Sequence, residues 1–331
     1  MKQLYRWSLG LLLALFTLVG IVSLQTQGLA QDSAESTLPT LEAAGLSLEE
    51  LADGIYGLIA STDFPPQDPM VAICNGGIII GNDGVVVVDP FHNKALGNLL
   101  LQTAATLTDQ PVRYVINTHY HFDHTGGNPA ASAQNLPILG RGPIREFMLT
   151  RNSETDPQVT PPEVIINGAW EVWLGDRQVQ VREFDGHSGG TDLIVYIPDA
   201  DVLMLGDLLF NQRIPYVGDG HIRTWQATLQ ELKVAYPTAT LLPGHGPVTS
   251  EQGIETLLGF LNDLEALALG WQANGVTAEE AKATPIPDVY KDFLFQGLFP
   301  IALETAYQQI TLGQDDATAM QAYLQAQSVQ P

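Results

Sequence analysis

Three of the chain's seven histidines fall within six residues, in the run Asn117-Thr118-His119-Tyr120-His121-Phe122-Asp123-His124-Thr125-Gly126-Gly127. Imidazoles and a carboxylate at that density are the donors a transition metal takes. An apolar stretch, Val112 to Asn117, precedes the run and reads as a strand. If the extended geometry continues, side chains 119, 121 and 123 share one face, because strand side chains alternate, and His124 points away. The chain must then turn near Asp123, and Gly126-Gly127 supplies the conformational freedom to do so. His119 and His121 would grip one ion while Asp123 and His124 face another close by. Cys74 is the only cysteine, so an intrachain disulfide and a thiolate-rich metal site are both excluded, and any metal must rest on His and carboxylate. Zn2+ suits such donors best, with Fe or Mn as alternatives.

Further candidates lie in turns downstream. Gly186-His187-Ser188-Gly189-Gly190 sits between two apolar runs, Asp207 closes the run Val202 to Gly206, and His245 is held in Pro243-Gly244-His245-Gly246-Pro247. Singly, each has a plain structural explanation: a solvated loop histidine, a turn-capping aspartate, a loop spacer. Asp89 also ends an apolar strand, so the pattern of an Asp-rich turn feeding a strand that closes on Asp occurs twice, a weak sign of two similar halves.

Taken in order, Asp89, the His119 to His124 cluster, the Gly186-His187 turn, Gly206-Asp207 and Pro243-Gly244-His245-Gly246 resemble the metallo-β-lactamase superfamily over roughly residues 50 to 250. The resemblance implies an α/β fold, a four-layered αβ/βα sandwich with a binuclear site at one edge of its two sheets. On that pattern His119, His121 and His187 hold one Zn2+, Asp123, His124 and His245 hold the second, and Asp207 bridges the two. Asp89 would orient the cluster, since a ligating imidazole needs a partner for its other nitrogen. The implied activity is hydrolysis: water activated between two metals attacks an ester, thioester, lactone or amide carbonyl of a small molecule, with Asp123 as a catalytic group that orients it or relays its proton. Rival readings are an iron-dependent redox enzyme of the same fold and a metal-binding protein without catalysis.

Departures bear on subtype. Lactamases of the superfamily that use a Cys ligand carry it where this chain has Asp207, and Cys74 lies far upstream in an expected strand. An Asp there resembles glyoxalase II, lactonases and other ester or thioester hydrolases. Glyoxalase II has a third consecutive His where this chain has Tyr120, and lactonases carry a Tyr where this chain has Phe210. The stretch from Gly206 to Pro215, together with an export signal, is more similar to exported hydrolases of the superfamily, including those that accompany periplasmic quinoprotein oxidations. Substrate contacts should come from loops at the metal edge: Phe64 in a proline-bearing hairpin, and Arg213 and Tyr216 after Asp207. Arg213 would meet a substrate carboxylate or simply be solvated. His221 is not counted among the ligands, and Trp170, Trp173 and Trp225 read as core.

Several elements must position these groups. Residues 1–30 read as a cleaved secretory signal, with Lys2 and Arg6, an apolar run from Leu9 to Leu24, and Gly28-Leu29-Ala30 before Gln31; an uncleaved anchor is the alternative. Residues 31–46 read as a linker, 47–250 as the core, and 251–331 as a helical segment packed on it. Ser47-Leu48-Glu49-Glu50 fits a capping box, predicting a helical turn. Strands are expected at 54–60, 71–74, 77–81, 85–88 and 112–117, with a helix at 93–108. After a loop region to Pro162, strands follow at 163–166, 169–174, 178–184, 193–197, 202–205 and 240–242, with a helix at 224–235. Capping boxes at Thr249/Gln252 and Thr277/Glu280, and a stop at Gly275, mark the C-terminal helices.

The 331 residues carry 14 basic and 37 acidic side chains, a net charge of −23. The expected signal contains two cations and no acids, so its removal leaves −25. Such acidity argues against nucleic-acid partners, and C-terminal helices without clustered cations argue against membrane association after signal cleavage. A periplasmic or extracellular protein acting on a small molecule is expected; the sequence sets no oligomeric state.

Overall fold

A computed structural model describes residues 38–154 and 158–314. The expected signal, the first part of the linker and the end of the C-terminal segment lie outside the described residues. The remainder builds two sheets. The first has seven strands in sequential order: β1 (Leu46–Ala52), β2 (Ile55–Ala60), β3 (Gly76–Gly81), β4 (Gly84–Val88), β5 (Val112–Ile116), β6 (Ile138–Arg141) and β7 (Val164–Ile166). Pairing is antiparallel from β1 to β4 and parallel from β4 to β7. The second sheet runs β12-β11-β10-β9-β8, from β8 (Trp170–Leu174), β9 (Arg177–Glu183), β10 (Leu193–Ile197), β11 (Val202–Phe210) and β12 (Thr240–His245). Only its β11-β12 pair is parallel.

Strand β4 shows why the layers stack. Its four valines are β-branched and buried, and alternation sends them to opposite faces. Val86 and Val88 pack between the sheets with Ile79, Val181, Val195 and Met204, while Val85 and Val87 meet the outer helix α1 (Lys94–Leu107). That helix begins at Asn93, whose side chain accepts from Leu96 N at 2.9 Å, and buries Leu96, Leu100 and Ala104. On the outer face of the second sheet, Leu203, Leu205 and Leu241 pack under α5 (Ile222–Ala235) and α6 (Glu251–Asn274). The order helix, sheet, sheet, helix is the expected four-layered sandwich. Among the described residues no helix is long and apolar enough to cross a membrane.

The structure corrects several local expectations. Ser47 to Glu50 lie in β1, not a helical turn, because pairing with Tyr56 to Ile59 on β2 outweighs the capping pattern. As an outer strand, β1 exposes Glu49 and Glu50, charges that discourage edge pairing with another chain. Residues 71–74 form no strand; they belong to the loop joining β2 to β3, where Asn75 is the anchor. Its Oδ1 accepts from Ala60 N, and its Nδ2 donates to the carbonyls of Pro243 and Gly246 at 2.9 and 2.8 Å. The region read as loop up to Pro162 contains short helices α2 (Phe122–Thr125) and α3 (Asn128–Ser132), strand β6 and helix α4 (Ile144–Thr150). Helix α6 starts after Ser250, since Thr249 is used instead in a backbone pair with Leu241. The stop at Gly275, with φ +64°, and the Thr277/Glu280 capping box opening α7 (Ala278–Lys282) are both present. Trp225 is buried and Trp170 packs edge-on against Tyr114, but Trp173 is 55% exposed on β8.

Candidate metal centre

The donors converge where strands of both sheets end. His119 follows β5, and His121 starts α2, so the chain turns into a helix at Phe122 and swings Asp123 and His124 to the same pocket. The turn thus precedes Gly126-Gly127, which hold ordinary right-handed conformations. Their lack of side chains serves close packing instead: a Cβ at Gly126 would collide with the His92 carbonyl, and one at Gly127 with that of Pro90. Asp207 is thrown inward where β11 breaks register at Gly206, whose φ of +51° and contact with the Thr118 side chain exclude a larger residue. His187 sits in the β9-β10 turn, cinched by Asp192. That carboxylate accepts from the backbone N of His187 and Ser188 at 3.1 and 3.0 Å and from Ser188 Oγ at 2.6 Å. His245 ends β12, with its Nδ1 3.1 Å from the Ile73 carbonyl and its ring stacked on Phe210 at 4.8 Å.

Two donor groups share Asp207. His119, His121, His187 and Asp207 form one, and His124, His245 and Asp207 the other, each with donor atoms within 4.8 Å of one another. Asp207 Oδ2 lies 3.5 Å from His119 Nε2 and 3.7 Å from His187 Nε2; Oδ1 lies 3.0 and 3.2 Å from the Nε2 atoms of His124 and His245. Asp123 Oδ2 stands 3.3 Å from His245 Nε2 and 3.5 Å from His124 Nε2. The residues fit metal ions on a physical ground: both ring nitrogens of fully buried His187 and Oδ1 of Asp207 lack hydrogen-bond partners. Orphaned polar atoms are costly in an interior; His187 Nε2 and Asp207 Oδ1 lie among imidazole and carboxylate donors, the set zinc takes, while His187 Nδ1 lies 3.8 Å from Asp192 Oδ1. Cys74 enters a third cluster with Asp123 and His124, although its thiol donates to the Asp123 carbonyl at 2.9 Å and burial pushes its pKa up to about 12. The single cysteine is thus beside the site, not remote from it in a strand.

Electrostatics favour positive charge in this pocket. Burial opposes ionisation of Asp207, but His245, His124 and His119 outweigh it and hold the carboxyl well below its usual range. Asp123 is depressed as well, with His124 and His245 overcoming its burial. Burial pulls His245 down, yet Asp207 and Asp123 lift it to about 9; His121 reaches about 9 in the same way through Asp207 and Asp219. His187 is pushed far below its usual value, chiefly by burial, and so stays neutral as a ligating imidazole must.

Asp89 stands where the sequence reading put it, and its geometry is demanding. Its backbone is left-handed, φ 54°, a costly conformation for a residue with a side chain. Its carboxylate accepts from Thr118 N at 2.8 Å and Thr118 Oγ1 at 2.7 Å and faces His124 Nδ1 at 2.8 Å. Phe64 and Tyr216 line a cavity of about 530 Å3 that opens on Asp123, Asp207 and His245. Arg213 is not brought to it: the side chain is buried, with its guanidinium 5.7 Å from the Phe295 ring centre and a bond to the Gln212 carbonyl. It lies against Phe295 and is not among the residues lining this cavity. His221 caps α5 by accepting from Thr224 N at 3.1 Å.

Sequence reasoning missed Asp219. Its Oδ2 lies 3.1 Å from His121 Nε2 and accepts from the Tyr120 hydroxyl, and Arg151 donates to Oδ1 at 3.1 Å and to the Tyr120 oxygen at 2.7 Å. The available signal was an aspartate between glycines, Gly218-Asp219-Gly220, twelve residues after Asp207. It also missed Asp192 and the C-terminal residues Phe295, Leu298 and Ile301, which line the cavity from far along the chain.

Residues 70–245 match the metallo-β-lactamase superfamily. Metallo-beta-lactamase IND-1 of Chryseobacterium indologenes is 26% identical over 192 residues, 57% of this chain and 78% of that protein. A hydroxyacylglutathione hydrolase of Shewanella pealeana is 27% identical over 152 residues, 46% of this chain. This chain spans about half the length of that hydrolase, 51%. Among solved structures, a metallo-β-lactamase from Pontibacter korlensis superposes with a TM-score of 0.57 at 22% identity, covering 66% of this chain and 99% of that one, a likeness of fold. The chain belongs to the metallo-β-lactamase superfamily. It is an enzyme of that metal-dependent hydrolase family, whose matched members are named metallo-beta-lactamase and hydroxyacylglutathione hydrolase.

Proposed function

We propose that the chain is an exported binuclear zinc hydrolase that cleaves an ester, thioester, lactone or amide carbonyl of a small molecule. The observation that carries this reading is the shared carboxylate: Asp207 presents one oxygen to His119 and His187 and the other to His124 and His245. In this reading His119, His121 and His187 hold one ion, Asp123, His124 and His245 the second, and Asp207 both. When bound, the zinc pair would supply Lewis acidity and make water nucleophilic near neutral pH. The chain's own groups do the rest. Asp123 lines the cavity with its carboxylate ionised, placed to take the proton of the attacking water and return it to the leaving group. Asp89 and Asp219 hold the outer nitrogens of His124 and His121, and Phe64, Phe210 and Phe295 keep bulk water from the reacting centre.

Asp207→Ala or His121→Ala should abolish turnover of activated esters and thioesters by the zinc-loaded protein and halve or eliminate bound zinc. Near-normal turnover with either variant would remove the binuclear reading. For the chain's organisation, we propose a signal over 1–30, a linker over 31–46, a core over 47–250 and a C-terminal helical segment over 251–331. The exported protein should then begin at Gln31, and an intact mass that retains Met1 would contradict the signal.

A further inference from the structure

Beside the metal donors, the cavity has an apolar wall. It is made by Phe64, Ile73 and Phe210 and by Phe295, Leu298 and Ile301, the last three contributed by the segment entering α8 (Phe299–Ala306). These C-terminal residues lie outside the stretch, 70–245, that matches the superfamily. They are fixed in place by specific contacts. Phe295 N donates to Asp63 Oδ1 at 2.7 Å, Ile214 N donates to the Leu294 carbonyl at 2.9 Å, and the Phe295 ring meets Phe64 at 5.8 Å and His245 at 5.2 Å. Phe295 itself is left-handed, φ 65°, a strained conformation for an aromatic residue. Strain of this kind persists where surrounding contacts over-determine it, and here it aims a ring at the donor His245.

Charge tells the same story from the other side. The carboxylates of Asp123 and Asp207 face the metal donors, which leaves Asp219 and Arg151 as the charged pair on the cavity lining. Arg151 is the one Lys or Arg among the described lining residues, and its Nη1 is committed to Asp219 and to the Tyr120 hydroxyl. Arg213, which would add a cation, is turned behind Phe295. Among the described lining residues the one guanidinium is therefore paired with a carboxylate, and a chain of net charge −23 repels anions on approach.

From these observations we infer that the C-terminal segment makes this cavity a binding site for an uncharged, apolar acyl group, so that the substrate is a neutral ester, thioester or lactone and not a carboxylate-bearing one. This rests on the hydrolase reading above and narrows its substrate class. At about 530 Å3, the cavity lies in the range of small-ligand pockets.

The test uses the zinc-reconstituted full chain and p-nitrophenyl esters from acetate to hexanoate, with the half-ester of succinate beside the butyrate ester. Each added methylene should raise kcat/KM about fourfold until the wall is filled, mainly through KM, and the succinate half-ester should be at least roughly tenfold poorer than butyrate. Two variants keep the wall itself under test. Ile301→Asp at the partly exposed rim and Phe64→Ala in the β2-β3 loop should each flatten the chain-length gradient, which is read as a ratio between esters within each variant and so does not depend on the variant's overall rate. A flat gradient in the wild type, a preference for the succinate half-ester, or an unchanged gradient in both variants overturns the apolar-acyl assignment and leaves the hydrolase reading standing. No metal-dependent turnover of these esters, or of a panel of thioesters, lactones and β-lactams run beside them, removes the hydrolase reading itself and the acyl assignment with it.

Discussion

Asp89→Asn is the sharpest probe of how the protein prepares its donors. Asparagine has the same shape and tolerates the left-handed backbone that Asp89 adopts, φ 54°, so the β4 end should keep its path. What changes is the partner of His124. The carboxylate oxygen 2.8 Å from His124 Nδ1 can only accept, which keeps a proton on Nδ1 and leaves Nε2, 3.0 Å from Asp207 Oδ1, as the nitrogen to be freed for an ion. The asparagine carbonyl can serve only one of its neighbours well. With it retained by Thr118 N, now 2.8 Å from Oδ1, the amide NH2 faces His124 and drives the proton to Nε2, the atom needed for a metal.

Loss of such an outer partner weakens metal affinity by roughly 10- to 100-fold, about 1.4 to 2.7 kcal/mol. The donor group His124, Asp207 and His245 should bear that loss, while the group His119, His121, His187 and Asp207 keeps its affinity. Competition against a chromophoric chelator, with zinc counted per chain, resolves two binding steps and shows which has moved. Wild-type affinity for both ions would refute the tautomer argument, and equal weakening of both would mean that the variant acts through general loosening of the strand end.

The remaining expectations follow the same geometry. Asp219→Asn should weaken the ion held with His121 by about 10- to 100-fold and spare the other, because His121 is the donor residue that meets Asp219; the same chelator competition reports it, and the opposite selectivity would count against the assignment. In chelator-treated protein, His121 and His245 are lifted from 6.5 to about 9, so their stabilisation is full below 6.5 and disappears as pH rises through about 9. His119 and His187 are lowered below 6.5, so the unfolded chain binds their protons more readily and stability also falls as pH drops below 6.5. The histidine contribution should therefore peak near pH 6.5 in denaturation midpoints taken with chelator, and a midpoint that rises steadily from pH 7 to 9 would contradict it.

The donor residues were legible because their chemistry is written in short motifs: a His-rich run after an apolar strand, and lone His or Asp residues in Gly-bearing turns. The layers were legible because runs such as Gly84 to Val88 are apolar on both faces. What escaped depends on distant parts of the chain. The capping pattern at Ser47 to Glu50 was real as a pattern, but pairing with β2 took precedence. Strand β6 has four residues, too few for a period to register, and is defined by neighbours on both sides. The role given to Gly126-Gly127 was wrong in mechanism because close approach to the carbonyls of His92 and Pro90 leaves no mark in local sequence. Arg213 looked available in a loop, yet the aromatic ring that covers it belongs to Phe295.

These misses share a cause that separates metal from substrate in this fold. The donors follow β5, sit in the β9-β10 turn, lie within β11 and end β12, all within the stretch that matches the superfamily. Their outer partners differ in kind: Asp89 is 3% exposed at the end of a central strand, whereas Asp219 stands in the loop after β11 with its side chain 26% exposed. The cavity wall comes from the β2-β3 loop and the C-terminal segment, joined by the bond from Phe295 N to Asp63 across 232 residues of sequence separation. Selection for a new acyl group can therefore reshape Phe64, Phe295, Leu298 and Ile301 without moving a donor atom. A metal site carried by sheet ends and a substrate wall carried by loops and appended helices would change at different rates, which is why the motifs reveal the chemistry and say little of what it acts upon.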